Sequence, residues 1–165
     1  MANIQFHGGD VHTNGQLPEL GSKLADFQLV NQKLETKSLS DYSGKKMVLN
    51  IFPSIDTGVC ATSARKFNEE AANLDNTVVL NISKDLPFAL GRFCAAEGIN
   101  NVESLSDFRS DFGKNMGVEL TDSPLQGLLS RAVVVTDESG NIIYTEQVPE
   151  IAQEPNYDAA LEALK

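Results

Sequence analysis

The sequence predicts an α/β domain: a central sheet buried on both faces, flanked by helices, with a β-hairpin added at the N-terminus. Two observations predict it. Residues 47–52, 77–82 and 132–136 are nearly continuous apolar runs rich in Val, Leu and Ile, as expected of strands without a solvent face. Between the first two runs, Cys60, Ala64, Phe67, Ala71 and Leu74 recur at intervals of four and three. That spacing forms one apolar stripe along a helix over 59–74. Strand, helix and second buried strand make a βαβ unit, right-handed by default.

The other elements follow in order. Residues 4–17 read as a hairpin that turns at Gly8-Gly9-Asp10, where glycine supplies positive φ. Asn14-Gly15 marks the next turn. After the βαβ unit, a helix is predicted over 86–97, with Asp85 as N-cap, Pro87 in its first turn and Gly98 ending it. Gly91 inside it costs about 1 kcal/mol relative to Ala. Residues 102–126 are mixed, with a short helix over 108–116. Strands at 132–136 and 142–145 flank a turn at Asp137-Glu138-Ser139-Gly140-Asn141, and a terminal helix covers 159–164. A βαβ half followed by a ββα half matches a thioredoxin-like fold with a central mixed sheet. The chain reads as one domain over 1–165, with 1–17 as a hairpin extension.

Composition narrows the function. The chain has 165 residues, enough to bury a core without staples. Its formal charge of −10 argues against a nucleic-acid or anionic-membrane binder, because both need a basic face. No run approaches the roughly 18 apolar residues of a membrane span. Residues 1–15 lack the pattern of a signal peptide. The expected location is the cytoplasm, where disulfides are usually transient and catalytic. Two cysteines exclude a disulfide-rich scaffold and a tetrathiolate zinc site. His7 and His12 lie on the hairpin without the further ligands that a metal site needs.

Cys60 carries the strongest local signal. With Thr57 as N-cap, it is the third helical residue after a buried strand. First-turn N–H groups have no intrahelical partner and favour an anion. A thiol there ionises more easily than a free one, and the thiolate is the nucleophile. Open α/β sheets also place their sites at the carboxyl ends of central strands. The apolar stripe allows the other reading, a buried core cysteine. Thr57 as a plain cap, Pro53 as a strand terminator and Arg131 as a surface arginine at a strand entrance are equally open at this level.

Pro53-x-x-x-Thr57-x-x-Cys60 resembles the peroxidatic motif of peroxiredoxins. The longer stretch from Asn50 to Cys60 resembles the thiol peroxidase subfamily, an atypical two-cysteine type. So do Asp85-Leu86-Pro87-Phe88-Ala89, Arg92-Phe93-Cys94 and Arg131-Ala132-Val133-Val134-Val135, and the similarity spans essentially the whole chain. The resemblance implies that Cys60 is the peroxidatic cysteine, Cys94 the resolving cysteine, and Thr57, Arg131 and Pro53 the rest of the pocket. It implies reduction of hydrogen peroxide and of alkyl or lipid hydroperoxides, in antioxidant defence. The cycle would pass through a Cys60 sulfenic acid and an intramolecular Cys60–Cys94 disulfide, recycled by thioredoxin. No metal, haem or flavin is implied, and a homodimer is expected. Since Cys60 and Cys94 lie on separate helices, both helices are expected to open locally when the disulfide forms. Ile55, Phe88 or Phe93 are the expected apolar rim of the pocket. Two rival classes remain. A thioredoxin-type disulfide oxidoreductase would carry Cys where Thr57 stands, and a redox sensor would use the disulfide once as a switch.

Overall fold

In the computed structural model, which describes residues 2–165, β1 (Asn3–Phe6) and β2 (Gly9–His12) form a separate antiparallel hairpin with Phe6 opposite Gly9. The turn is therefore His7-Gly8, one residue ahead of the expected Gly8-Gly9-Asp10. Both turn residues have positive φ, 52° and 83°, which matches the twist of the strands in a two-residue turn. His is among the non-glycine residues that tolerate this region best.

The remaining elements build one seven-stranded sheet and its covering helices. In chain order they are β3 (Gln28–Val30), β4 (Thr36–Ser38), β5 (Lys46–Ile51), α1 (Gly58–Ala71), β6 (Thr77–Ser83), α2 (Pro87–Glu97), β7 (Glu103–Ser106), α3 (Phe112–Met116), β8 (Ala132–Thr136), β9 (Ile142–Gln147) and α4 (Tyr157–Glu162). The strand order is β4-β3-β7-β6-β5-β8-β9. β5, β6 and β7 are mutually parallel, whereas β3 and β8 run antiparallel to their neighbours in this core. This is the mixed sheet that the apolar runs predict.

Alternation along the strands separates two cores. Met47, Leu49, Ile51, Leu80, Ile82 and Leu105 face one side, covered by Phe112 and Met116 of α3. Val48, Val79, Val133 and Val135 face the other, covered by Phe67 of α1, Cys94 of α2 and Ala160 of α4. A polar row interrupts the second face. Asn50, Asn81 and Ser104 are register neighbours on β5, β6 and β7, and Asn50 Nδ2 donates to Asn81 Oδ1 at 3.0 Å.

Three details differ from the sequence expectation. β3, β4 and β7 are strands of three or four residues with no periodic signal. The short helix expected over 108–116 begins only at Phe112, because 107–111 forms a turn in which the Asp107 carboxylate accepts from Ser110 Oγ and Gly113 N. The N-cap of α2 is Leu86, not Asp85. The Asp85 carboxylate finds stronger partners elsewhere, accepting from Ile55 N and from the hydroxyls of Ser54 and Ser83.

Candidate active site

Cys60 sits at the carboxyl end of the sheet, in the first turn of α1. Thr57 is the N-cap, so Cys60 occupies the third helical position, as expected. Its side chain is fully buried among Phe52, Ile55, Ala64 and Leu90. The Thr57 hydroxyl does not make the side-chain cap that its N-cap position suggests. It donates to the Ser54 carbonyl at 3.0 Å. Its hydrogen is thereby committed, so it presents lone pairs to the pocket that it lines.

Topology brings Arg131 to the sulfur. β8 runs antiparallel to β5 with Ala132 opposite Ile51, so the residue before β8 lies beside the residues that follow β5. Arg131 is consequently 1% exposed, unlike a surface arginine at a strand entrance. Its guanidinium divides its donors. Nε donates to the Ile151 carbonyl at 2.7 Å and Nη2 to Cys60 Sγ at 3.1 Å. Nη1 is buried without a protein partner. In the thiolate form, Cys60 completes a buried ion pair with this group.

A cavity of about 270 Å³ is lined by Arg131 and by Thr57, Gly58 and Val59 just ahead of Cys60, whose buried side chain is not part of the lining. Pro53 also lines it. Pro53 is buried and stands two residues beyond Ile51, the last residue of β5, where it keeps the strand from continuing. The walls are Phe6, Leu125, Leu128 and Ile151. The expected rim of Ile55, Phe88 and Phe93 is not there. Ile55 is 1% exposed inside the cluster around Cys60, and Phe88 points to solvent at 69% exposure. The hairpin tip instead closes the cavity, and His7, given no role by the sequence, lines it as well.

Long-range backbone bonds hold that tip. Ile151 N donates to Gln5 O, and Gln5 N to Pro149 O. The Glu150 carboxylate accepts from His7 N at 2.8 Å and Gly8 N at 3.3 Å. These backbone donors, His7 first, hold the Glu150 carboxyl below its usual range. Further along the hairpin, His12 Nδ1 lies 2.7 Å from Asp122 Oδ2.

Cys94 is not among the residues that line this cavity. Its side chain, 6% exposed, belongs to the cluster under α2 rather than that of Cys60. Its sulfur lies 3.3 Å from Ser104 Oγ. Burial pushes the Cys94 thiol up, while hydrogen bonds with Ser104 and Gln32 oppose the shift. Both cysteines are free, each sulfur with its own partner. Among the described residues, no group of His, Cys, Asp and Glu is placed to hold a metal ion. Among the same residues, no helix is long and apolar enough to cross a membrane.

A thiol at a helix N-terminus, paired with a buried guanidinium at the carboxyl end of a mixed sheet, defines a thioredoxin-like protein of peroxiredoxin type. The chain belongs to the redoxin family, whose model matches residues 19–161. It is 61% identical over 164 residues to a thiol peroxidase of Corynebacterium glutamicum and 53% identical to one of Mycobacterium bovis, each alignment covering 99% of both chains. A solved peroxiredoxin-like protein from Aquifex aeolicus superposes with a TM-score of 0.94 at 35% identity, covering 99% of this chain and 96% of that one. A thiol peroxidase from Chromobacterium violaceum shares the fold at a TM-score of 0.92 and 24% identity, covering 99% and 96%. The protein is a peroxidase that reduces peroxides by peroxiredoxin-type thiol chemistry.

Proposed function

We propose that Cys60 is the peroxidatic and Cys94 the resolving cysteine, with Thr57, Arg131 and Pro53 completing the pocket. The observation that carries this is the 3.1 Å contact between Arg131 Nη2 and Cys60 Sγ, made by an arginine that also lines the apolar cavity. The Cys60 thiolate attacks one peroxide oxygen and the O–O bond breaks. Sulfur gains the terminal peroxide oxygen together with its hydrogen and becomes a sulfenic acid; the leaving alkoxide takes up one proton from solvent as the alcohol. Arg131 Nη1 is free to donate to the oxygen on which charge develops. Thr57 Oγ1 can accept from the hydroperoxide O–H, since its own hydrogen is committed to Ser54. Cys94 then displaces water from the sulfenic acid and forms the disulfide. Two electrons and two protons from a dithiol donor restore both thiols.

Thioredoxin is the proposed donor, and no bound cofactor takes part. Apolar cavity walls favour alkyl and lipid hydroperoxides alongside hydrogen peroxide. The need for a reducing dithiol partner supports a cytoplasmic location and a role in antioxidant defence. A homodimer around the active-site loops would cover Leu86 and Phe88, 52% and 69% exposed at the start of α2. Intact mass after one equivalent of cumene hydroperoxide tests the cycle. Loss of two hydrogens is expected, absent in Cys94→Ser. Turnover with thioredoxin and its reductase is expected to vanish in Cys60→Ser; full activity in that variant overturns the assignment. A single oxidation without recycling would favour the sensor.

A further inference from the structure

We infer that Asp85 is a positioning residue that clasps the Cys60 loop to the start of the Cys94 helix and thereby sets how the sulfenic acid partitions. This rests on the assignment of Cys60 and Cys94 above. Asp85 lies between β6 and α2. Its Oδ1 accepts from Ser54 Oγ at 2.8 Å, and its Oδ2 accepts from Ile55 N at 2.7 Å and Ser83 Oγ at 2.6 Å. Ile55 is 1% exposed, so its N–H has no ready substitute in water. Ser54 relays the hold onward, because its carbonyl accepts from both the N–H and the hydroxyl of Thr57. Thr57 is the N-cap of the helix that carries Cys60. On the other side, the Asp85 main chain leads within two residues into α2, and its carbonyl accepts from Ser106 Oγ. One carboxylate thus ties together the two segments that must separate for the sulfurs to meet. The exposed Arg92–Asp56 pair spans the same gap at 3.4 Å, with side chains 71% and 64% exposed, and adds little in solvent.

The clasp favours the first step and opposes the second. Closed, it holds Thr57 and the first turn of α1 in the reactive arrangement. Open, it lets the Cys60 sulfenic acid reach Cys94, with loss of water and no other reactant. A sulfenic acid that waits is instead oxidised by a second peroxide to the sulfinic acid. Asp85→Ala is therefore expected to slow Cys60 oxidation and to lower the ratio of sulfinic acid to disulfide, each by about tenfold, the worth of one hydrogen bond to a charged group. Asp85→Asn keeps an acceptor for Ile55 N and a donor for Ser54 Oγ, so its ratio is expected between those of wild type and Asp85→Ala. Ser54→Ala removes one of the three bonds and is expected to shift the ratio the same way, less strongly, even if Asp85→Ala fails to fold. The experiment is a titration of the full chain with cumene hydroperoxide, read by intact mass, with circular dichroism confirming the fold. An unchanged or higher ratio of sulfinic acid to disulfide in the folded variants overturns the clasp. A wild type that never loses two hydrogens overturns the two-cysteine reading instead.

Discussion

Replacing Arg131 by Lys separates charge from geometry at the reacting sulfur. The arginine performs two tasks and holds a third nitrogen in reserve: Nε donates to Ile151 O at 2.7 Å, Nη2 to Cys60 Sγ at 3.1 Å, and Nη1 is buried without a protein partner. Lysine keeps the charge but offers one nitrogen on a flexible stem, so it can occupy only one of these positions. At least one donor to the reacting atoms is lost. Removing a single donor aimed at developing charge costs roughly 10²–10³-fold in rate, or about 2.7–4 kcal/mol. The second-order rate constant of Cys60 with hydroperoxide is expected to fall by that amount. If lysine instead abandons Ile151 O, a carbonyl in a buried setting loses its partner, and stability drops by about 1–3 kcal/mol. The assay is rapid quenching with an alkylating agent followed by intact mass, in a Cys94→Ser background so that only the first step is read. Urea denaturation of the reduced protein measures the stability cost separately. A rate within about threefold of Arg131, under 0.7 kcal/mol, would show that charge alone suffices and refute the division of tasks.

Three further outcomes follow from particular residues. Cys94 holds its proton more tightly in the fold than in the unfolded chain, because burial outweighs Ser104 and Gln32. That stability is fully present below the ordinary thiol value of about 8.5 and is lost as pH rises through the folded value. In Cys60→Ser the urea midpoint should therefore fall more steeply above that pH than in Cys60→Ser/Cys94→Ala; coincident profiles would contradict the burial. Phe6→Ala removes a wall of the cavity, so kcat/KM for cumene hydroperoxide should drop by roughly tenfold or more, about 1.5–3 kcal/mol for a buried aromatic side chain. Hydrogen peroxide, which cannot touch that wall, should serve as the unchanged control. Gly117→Ala should destabilise the fold by about 2 kcal/mol or more, visible as a lower Tm, because φ is +73° and a Cβ would stand 2.3 Å from Gln16 O.

The legible part of this protein lies where signals are local. The apolar runs of β5, β6 and β8 and the stripe of α1 are written within windows of five to sixteen residues, and the structure places them within two or three residues of those expectations. Cys60 at the third position of its helix is equally local, since an N-cap and a strand end fix it. The short strands β3, β4 and β7 were illegible because three or four residues carry no period. They exist because a neighbour supplies their hydrogen bonds.

The sequence by itself determined the fold class and the place of Cys60 in the first turn of its helix, and the resemblance of its motifs pointed to the residues expected beside it. Only the tertiary structure decided where those residues stand. Arg131 becomes a buried donor because antiparallel pairing lays the start of β8 beside the end of β5. The cavity walls come from the hairpin tip, the loop before β8 and the segment after β9, joined by long-range backbone bonds that no local pattern encodes. Asp85 shows the physical reason most directly. Its carboxylate could cap the adjacent helix or accept from remote donors, and local sequence cannot rank these options. Folding brings one backbone N–H and two hydroxyls within 2.8 Å of it, and three bonds prevail over one cap.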